Sequence, residues 1–289
     1  MSEMSNDFDN DTELSRGTAS DQPQPMAYMD DAGAGRINFK GRTIEDRDWY
    51  SLCQLLQRLF MQANINCMKM TDLIIAQNFL GSVIYQCEAD GNGSDIENDI
   101  FEDNIIFGVI TILNVTAEKD IPCIKQLRTF IMQSAKKYAT EDVLKKFSDI
   151  LNDTSRPVGY LINERLANIP ADISIGLLEN LQTEIMTAQQ KGMKFDFAYY
   201  LIIIKLYCRE AKNGKPKEEF YTSAEEEFFV QKAISSFEYS MIDDSDVGMS
   251  GDWLGGEDAP PPYRKMLLFE ADQIPNIIDQ LREKIQETK

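Results

Sequence analysis

A chain of 289 residues, 43% hydrophobic and 27% charged, has the composition of a folded globular protein and the length for one large domain or two small ones. Its net charge of −19 repels phosphate backbones and anionic lipid. Having no histidine, it excludes Ser-His-Asp and Cys-His nucleophiles, the H-E-x-x-H metalloprotease helix and imidazole zinc sites.

The opening Met1-Ser2-Glu3 has no basic, apolar leader, and no apolar run approaches the roughly 18 residues that span a bilayer, so the chain is expected to stay inside the cell. Residues 1–35 hold eight Asp/Glu against Arg16 and are rich in Ser, Gln, Pro and Gly, which predicts a disordered acidic tail. Residues 36–289 are then a single domain, beginning with the strand-like Ile37-Asn38-Phe39. Thr43-Ile44-Glu45-Asp46 offers a capping box for a helix whose Trp49, Leu52, Leu55, Leu56, Leu59 and Phe60 recur at helical spacing. A second helix is predicted over Met70 to Asn78, leading into a strand at Gly81 to Cys87. The acid-rich stretch 88–103 then separates that strand from the β-branched run Ile105 to Val115, a pattern for a hairpin with a long acidic loop.

Ile121 to Tyr138 and Thr140 to Leu151 read as helices, with Pro122 suited to the first turn of the former. Their Lys125, Arg128, Lys136, Lys137, Lys145 and Lys146 read as a solvated basic surface. Val158 to Ile162 is a strand, Asp172 to Gln190 a helix, and Phe195 to Tyr207 a strand too continuously apolar for an exposed edge. After a polar loop at Lys212 to Lys217, Ser223-Ala224-Glu225-Glu226 is a second capping box. Phe237 to Met241 and Tyr263 to Phe269 read as strands around an acidic loop at 243–262 that carries Trp253. Asp272 is placed to cap a terminal helix built on Ile274, Ile277, Ile278, Leu281 and Ile285. Interleaved strands and helices without a repeat predict an α+β domain of mixed α/β layers, with a central mixed sheet flanked by helices.

The acidity is segregated. Residues 1–35, 88–103 and 218–258 carry −7, −7 and −11, and the rest of the chain nets +6. Solvated acidic arms on a slightly basic body steer basic protein surfaces into contact, so the expected partner is a basic protein rather than nucleic acid or membrane. No cofactor or metal is expected. The five cysteines contain no C-x-x-C and read as reduced and mostly buried. The stretch Asp243-Asp244-Ser245-Asp246 lacks the glycine and terminal glutamate of a calcium loop, and the chain has neither a P-loop nor a G-x-G-x-x-G turn. The sequons at Asn92, Asn114 and Asn152 read as chance matches.

Leu151-Asn152-Asp153-Thr154-Ser155-Arg156-Pro157-Val158-Gly159, continuing through Asn163-Glu164-Arg165 to Ile169-Pro170, resembles the LNDT-x-(K/R)-PVG…SER…(V/I)P run of the BCCIP family. Asp72-Leu73-Ile74-Ile75 with Gly81-Ser82-Val83-Ile84, and Ala224-Glu225-Glu226-Glu227-Phe228-Phe229 with Lys232-Ala233-Ile234, match it in the same order. The resemblance implies a fold similar to the GCN5-related acetyltransferases. It also implies a non-enzymatic protein of the nucleus and nucleolus, with a cytoplasmic pool. Its implied partners are a recombination mediator, a Cdk inhibitor and, as in the fungal member, a basic large-subunit ribosomal protein that it chaperones and exports.

Acetyltransferases of that fold hold coenzyme A on a [QR]-x-x-G-x-[GA] turn that opens a helix. The nearest match, Arg156-Pro157-Val158-Gly159-Tyr160-Leu161, loses a donor at Pro157, carries a large side chain at Leu161, and precedes a strand, so it reads as a structural turn. The expectation is therefore an acidic chaperone or adaptor with no catalytic, cofactor or metal residues. The rivals are a coenzyme-A-dependent acetyltransferase and a signalling adaptor with no assembly role. Candidate partner-binding residues are Glu225, Glu226, Glu227, Asp252, Asp99, Glu102 and Asp103, with Trp253 as the apolar anchor that tight binding requires.

Overall fold

Val, Ile, Leu and Tyr alternate sides along the apolar strands, and that alternation fixes the architecture: a sheet with a hydrophobic layer on each face. The computed structural model describes residues 37–61, 63–88, 105–166, 169–209, 211, 217–241 and 260–288. The strands are β1 (Ile37–Thr43), β2 (Ser82–Glu88), β3 (Ile106–Asn114), β4 (Val158–Arg165), β5 (Tyr199–Arg209), β6 (Glu218–Tyr221), β7 (Ser235–Ser240) and β8 (Pro262–Glu270). They form one sheet in the order β1-β2-β3-β4-β5-β8-β7, with β6 paired to β5. All pairings are antiparallel except β4 with β5.

Among the described residues seven α-helices cover the sheet: α1 (Trp49–Phe60), α2 (Cys67–Ala76), α3 (Pro122–Tyr138), α4 (Glu141–Asn152), α5 (Ile173–Gln190), α6 (Ala224–Lys232) and α7 (Ile274–Thr288). On β5, Tyr199, Leu201 and Ile203 face the layer containing α1 to α4, while Tyr200, Ile202 and Ile204 face the layer containing α5 to α7. Period-2 alternation across a sheet buried on both sides demands this division. Leu52, Leu56, Leu59 and Phe60 of α1 are all buried, each stabilising by about 1.5–3 kcal/mol relative to exposure. The expected α+β layering with a central mixed sheet is the observed one, and the strand predicted over Phe195 to Tyr207 lies centrally, between β4 and β8.

Several details differ. Thr43 cannot cap α1 because it is still paired with Ser82 at the end of β1. The reach-back comes two residues later, at the 3-10 turn Asp46–Asp48, where the Glu45 N–H donates to Asp48 Oδ2 at 2.9 Å, and the buried Asp48 is also held by Arg42. α2 starts at Cys67, earlier than predicted, because the Asn66 side chain caps it by accepting from the Lys69 N–H at 3.0 Å. Asp272 sits within the 3-10 turn Ala271–Gln273 that leads into α7. All five cysteines are unbridged thiols, and Cys53, Cys123 and Cys208 are buried. The predicted tail 1–35 lies outside the described residues, as do the acidic loops from residues 89 to 103 and 243 to 259.

Gly81 shows how tightly β2 is seated. Its φ is +104°, and a Cβ there would lie 2.6 Å from the Ile110 carbonyl oxygen and from Thr111 Cβ. Gly81→Ala therefore combines backbone strain with a clash against backbone. It is expected to cost about 3 kcal/mol or more, measured by urea denaturation, whereas Gly192→Ala, at φ +75° with nothing nearby, costs only the strain.

Candidate functional site

β4 and β5 run parallel for three residue pairs, Val158 with Tyr199, Gly159 with Tyr200 and Tyr160 with Leu201. Beyond Leu201 the strands separate, and both continue, to Arg165 and Arg209. Charged side chains fill the wedge. Arg165 forks onto Glu225, with Nη2 donating to Oε2 at 2.8 Å and Nη1 to Oε1 at 2.5 Å, and also donates to Ser174. Asn163 Nδ2 donates to the same Glu225 Oε1 at 2.9 Å, and Lys205 of β5 pairs with Glu164 of β4. β6 enters the opening beside the outer half of β5, pairing Leu206 to Arg209 with Tyr221 to Glu218.

The N-terminus of α6 closes the wedge through the predicted capping box. The Ser223 N–H donates to Glu226 Oε2 at 2.9 Å, and Thr222 Oγ1 donates to the same oxygen at 3.1 Å. Glu226 is 3% exposed and Glu225 is fully buried. Burial first, and then the neighbouring Glu225 charge, push the Glu226 carboxyl up to about 8, against the opposing pull of the Ser223 N–H.

This placement corrects two of the candidates. Glu225 and Glu226 are interior groups that hold α6 to the sheet, and in this conformation neither reaches a partner. Glu227 is partly exposed and pairs with Lys284 of α7. Asp252, Trp253, Asp99, Glu102 and Asp103 lie outside the described residues.

The other acids of 218–241 are likewise engaged within the chain. Glu218 pairs with Arg209 at 2.8 Å. Lys265 Nζ donates to both oxygens of Glu219 at 2.8 Å and lies 3.2 Å from Glu238, and Lys217 joins both glutamates. Burial disfavours the ionised form of Glu219, but hydrogen bonds from Lys265 and Tyr221 and the charge of Lys265 outweigh it and hold the carboxyl down at about 2. The third acidic block therefore divides at about residue 241. Its first part belongs to the folded body and is neutralised there.

The charge balance moves accordingly. The described residues contain 24 Lys/Arg and 27 Asp/Glu, a net of −3, which leaves −16 of the −19 to the rest of the chain. The turn Arg156 to Gly159 leads into a strand, as expected. The Pro157 carbonyl accepts from the Ala198 N–H at 2.8 Å, the Val158 N–H donates to Thr116 Oγ1 at 2.9 Å, and the Arg156 guanidinium lies 4.4 Å from the Tyr199 ring centre. The Pro157 carbonyl and the Val158 N–H are therefore engaged within the protein.

A feature the sequence reading set aside as solvated surface is a shallow groove of about 470 Å³ between α3 and α4. Lys125, Arg128 and Lys136 edge it, with Met132, Leu144 and Leu151 beneath. Among the described residues no ion pair involves Lys125, Arg128 or Lys136, and Arg128 instead donates to the carbonyls of Val115 and Leu151. The signal was in the sequence: residues 121–140 contain four bases and no acid.

The family model for BCCIP matches residues 36–233. The chain is 50% identical over 262 residues to "Protein BCCIP homolog" of Drosophila melanogaster, covering 90% of this chain and 88% of that protein. It is 34% identical over 256 residues to "BRCA2 and CDKN1A-interacting protein" of Bos taurus, covering 86% and 82%. The crystal structure of BCP1 from Saccharomyces cerevisiae aligns over 86% of this chain and 88% of that one with a TM-score of 0.55 and 19% identity, a likeness of fold.

Two outcomes follow from the wedge. Arg165→Met leaves Glu225 buried without its fork and is expected to cost about 3–5 kcal/mol in urea denaturation, with Arg165→Met/Glu225→Leu recovering most of the loss. The folded protein holds the Glu226 proton up to about pH 8, whereas the unfolded chain releases it near 4.5. Unfolding therefore releases a proton in this window, and the group's contribution falls as pH rises from about 5 to 8. Glu226→Gln should match the parent near pH 5 and exceed it at pH 8, read from thermal midpoints at both pH values.

Proposed function

We propose that this chain, which belongs to the BCCIP family, is a non-enzymatic binding protein: an acidic chaperone or adaptor for a basic ribosomal protein of the large subunit. It shields that client during nuclear assembly and accompanies its export, working in the nucleus and nucleolus with a cytoplasmic pool. The observation that carries the reading is the partition of charge. The described residues come close to balance, 24 Lys/Arg against 27 Asp/Glu, and most of the net negative charge lies in the segments 1–36, 89–104 and 242–259.

Acidic segments of this kind raise the rate of encounter with a basic surface and reject phosphate, and an apolar anchor then slows dissociation. Trp253, flanked by Asp252 and Leu254, has the chemistry for that anchor. Binding roles in recombination and cell-cycle control draw support from the name of the bovine relative, which describes that protein as interacting with BRCA2 and CDKN1A. The yeast likeness supports the ribosomal reading through fold alone.

What counts against coenzyme-A-dependent acetyl transfer is the content of the wedge. A pantetheine arm entering between β4 and β5 would have to displace the Arg165–Glu225 and Lys205–Glu164 pairs, leaving charges buried without partners.

The test is a pull-down from nuclear extract at low salt and near 1 M salt, where screening shortens to about 3 Å. Basic large-subunit ribosomal proteins are expected to be enriched at low salt and released at high salt, and Trp253→Ala to weaken the captured complex by about tenfold or more. Absence of those proteins at low salt, or capture unchanged near 1 M, overturns the proposal.

A further inference from the structure

We propose that the groove between α3 and α4 is the docking site for this chain's own N-terminal acidic segment, centred on Asp7-Phe8-Asp9 and extending to Glu13-Leu14. The groove combines two demands. Its edge bears Lys125, Arg128 and Lys136, which have no carboxylate partner among the described residues, and its floor is Met132, Leu144 and Leu151. A fitting occupant therefore brings carboxylates on either side of an apolar side chain.

The sequence Asp7-Phe8-Asp9-Asn10-Asp11-Thr12-Glu13-Leu14 supplies both: four acids, no base, and Phe8 and Leu14 as apolar groups. A polyphosphate matches the edge and not the floor, and it is repelled by a chain whose net charge is −19.

Reach is sufficient. α3 and α4 pack over β7, where Phe147 meets the Phe237 ring at 5.1 Å between centroids and Tyr138 stacks on Tyr239 at 5.3 Å. β1, which continues from the N-terminal segment, lies at the opposite edge of the sheet. The path across the intervening strands is about 30 Å at roughly 4.8 Å per strand. About thirty residues separate Phe8 from β1, and a random coil of that length has a root-mean-square span of about the same distance. That match places the tethered segment at an effective concentration in the millimolar range, where even weak rim pairs and one buried ring suffice to hold it.

Docked there, the segment's carboxylates are engaged by Lys125 and Lys136 and are withheld from other ligands until something displaces them. A basic client that engages the same acids is the natural competitor, because the two complexes share the segment's carboxylates. The contact does not depend on the client reading, since a chain that binds no ribosomal protein would still form it.

The test is zero-length carboxyl-to-amine coupling of the full-length protein at low concentration, followed by peptide mapping of the monomer. Asp7, Asp9, Asp11 or Glu13 should be joined to Lys125 or Lys136. The yield should fall several-fold near 1 M salt and in Phe8→Ala, which keeps every coupling partner in place. Amide exchange provides a readout that leaves the groove intact: Asp7→Asn/Asp9→Asn/Asp11→Asn/Glu13→Gln with Phe8→Ala should speed exchange along α3 without moving the thermal midpoint. The proposal is overturned if the N-terminal acids couple to lysines in proportion to their exposure, or if acids from 89–104, 242–259 or a second copy occupy Lys125 and Lys136. Protection of those lysines by a short RNA and not by the segment also overturns it.

Discussion

The interior pairing of Arg165 with Glu225 is the constraint on which the second half of the molecule depends. Where β4 and β5 part, the sheet loses its ladder of hydrogen bonds and opens two strand edges to whatever enters between them. The fork from β4 to the first turn of α6, and the neighbouring Lys205–Glu164 pair, replace that ladder with charge-assisted bonds. Because each charge there has a partner, the wedge tolerates being dry, and because each depends on its partner, it resists being reopened.

The same logic governs the distribution of charge over the whole chain. Arg209, Lys217, Lys265 and Lys284 are drawn onto Glu218, Glu219, Glu238 and Glu227, so these acids are balanced locally within the body. α3 escapes this balance, having bases and no acids along its length. A strongly acidic protein thus presents a cationic groove among its described residues, while most of its net negative charge lies in segments outside them.

The apolar architecture was readable because it obeys simple periods. The 3.6-residue stripe of α1, the two-sided apolar run of β5 and the Ser223–Glu226 box were all visible as patterns. What escaped was set by partners distant in sequence. β4 reads as ending at Ile162 because Asn163, Glu164 and Arg165 look like the start of a loop, yet each is satisfied by Glu225 or Lys205, far along the chain. β6, only Glu218–Tyr221, has no strand signature of its own and exists because the outer half of β5 offers an edge. Glu225 and Glu226 read as solvated acids for the same reason: a run of three glutamates is surface by composition, and only the fold reveals that two of them turn inward.

The order of the strands also dictates a timetable for synthesis. β1, β2, β3 and β4 each pair with the strand next in sequence, so that meander can close while the rest of the chain is still being made. β7 has no partner until β8 follows it, and β5 must wait as long for its longest ladder. β8 therefore completes the sheet among the described residues, and a nascent chain halted before Pro262 would leave an edge of β5 and the edge of β7 that it joins unpaired. Until β8 is made, the two strands it joins each keep an open row of backbone donors and acceptors.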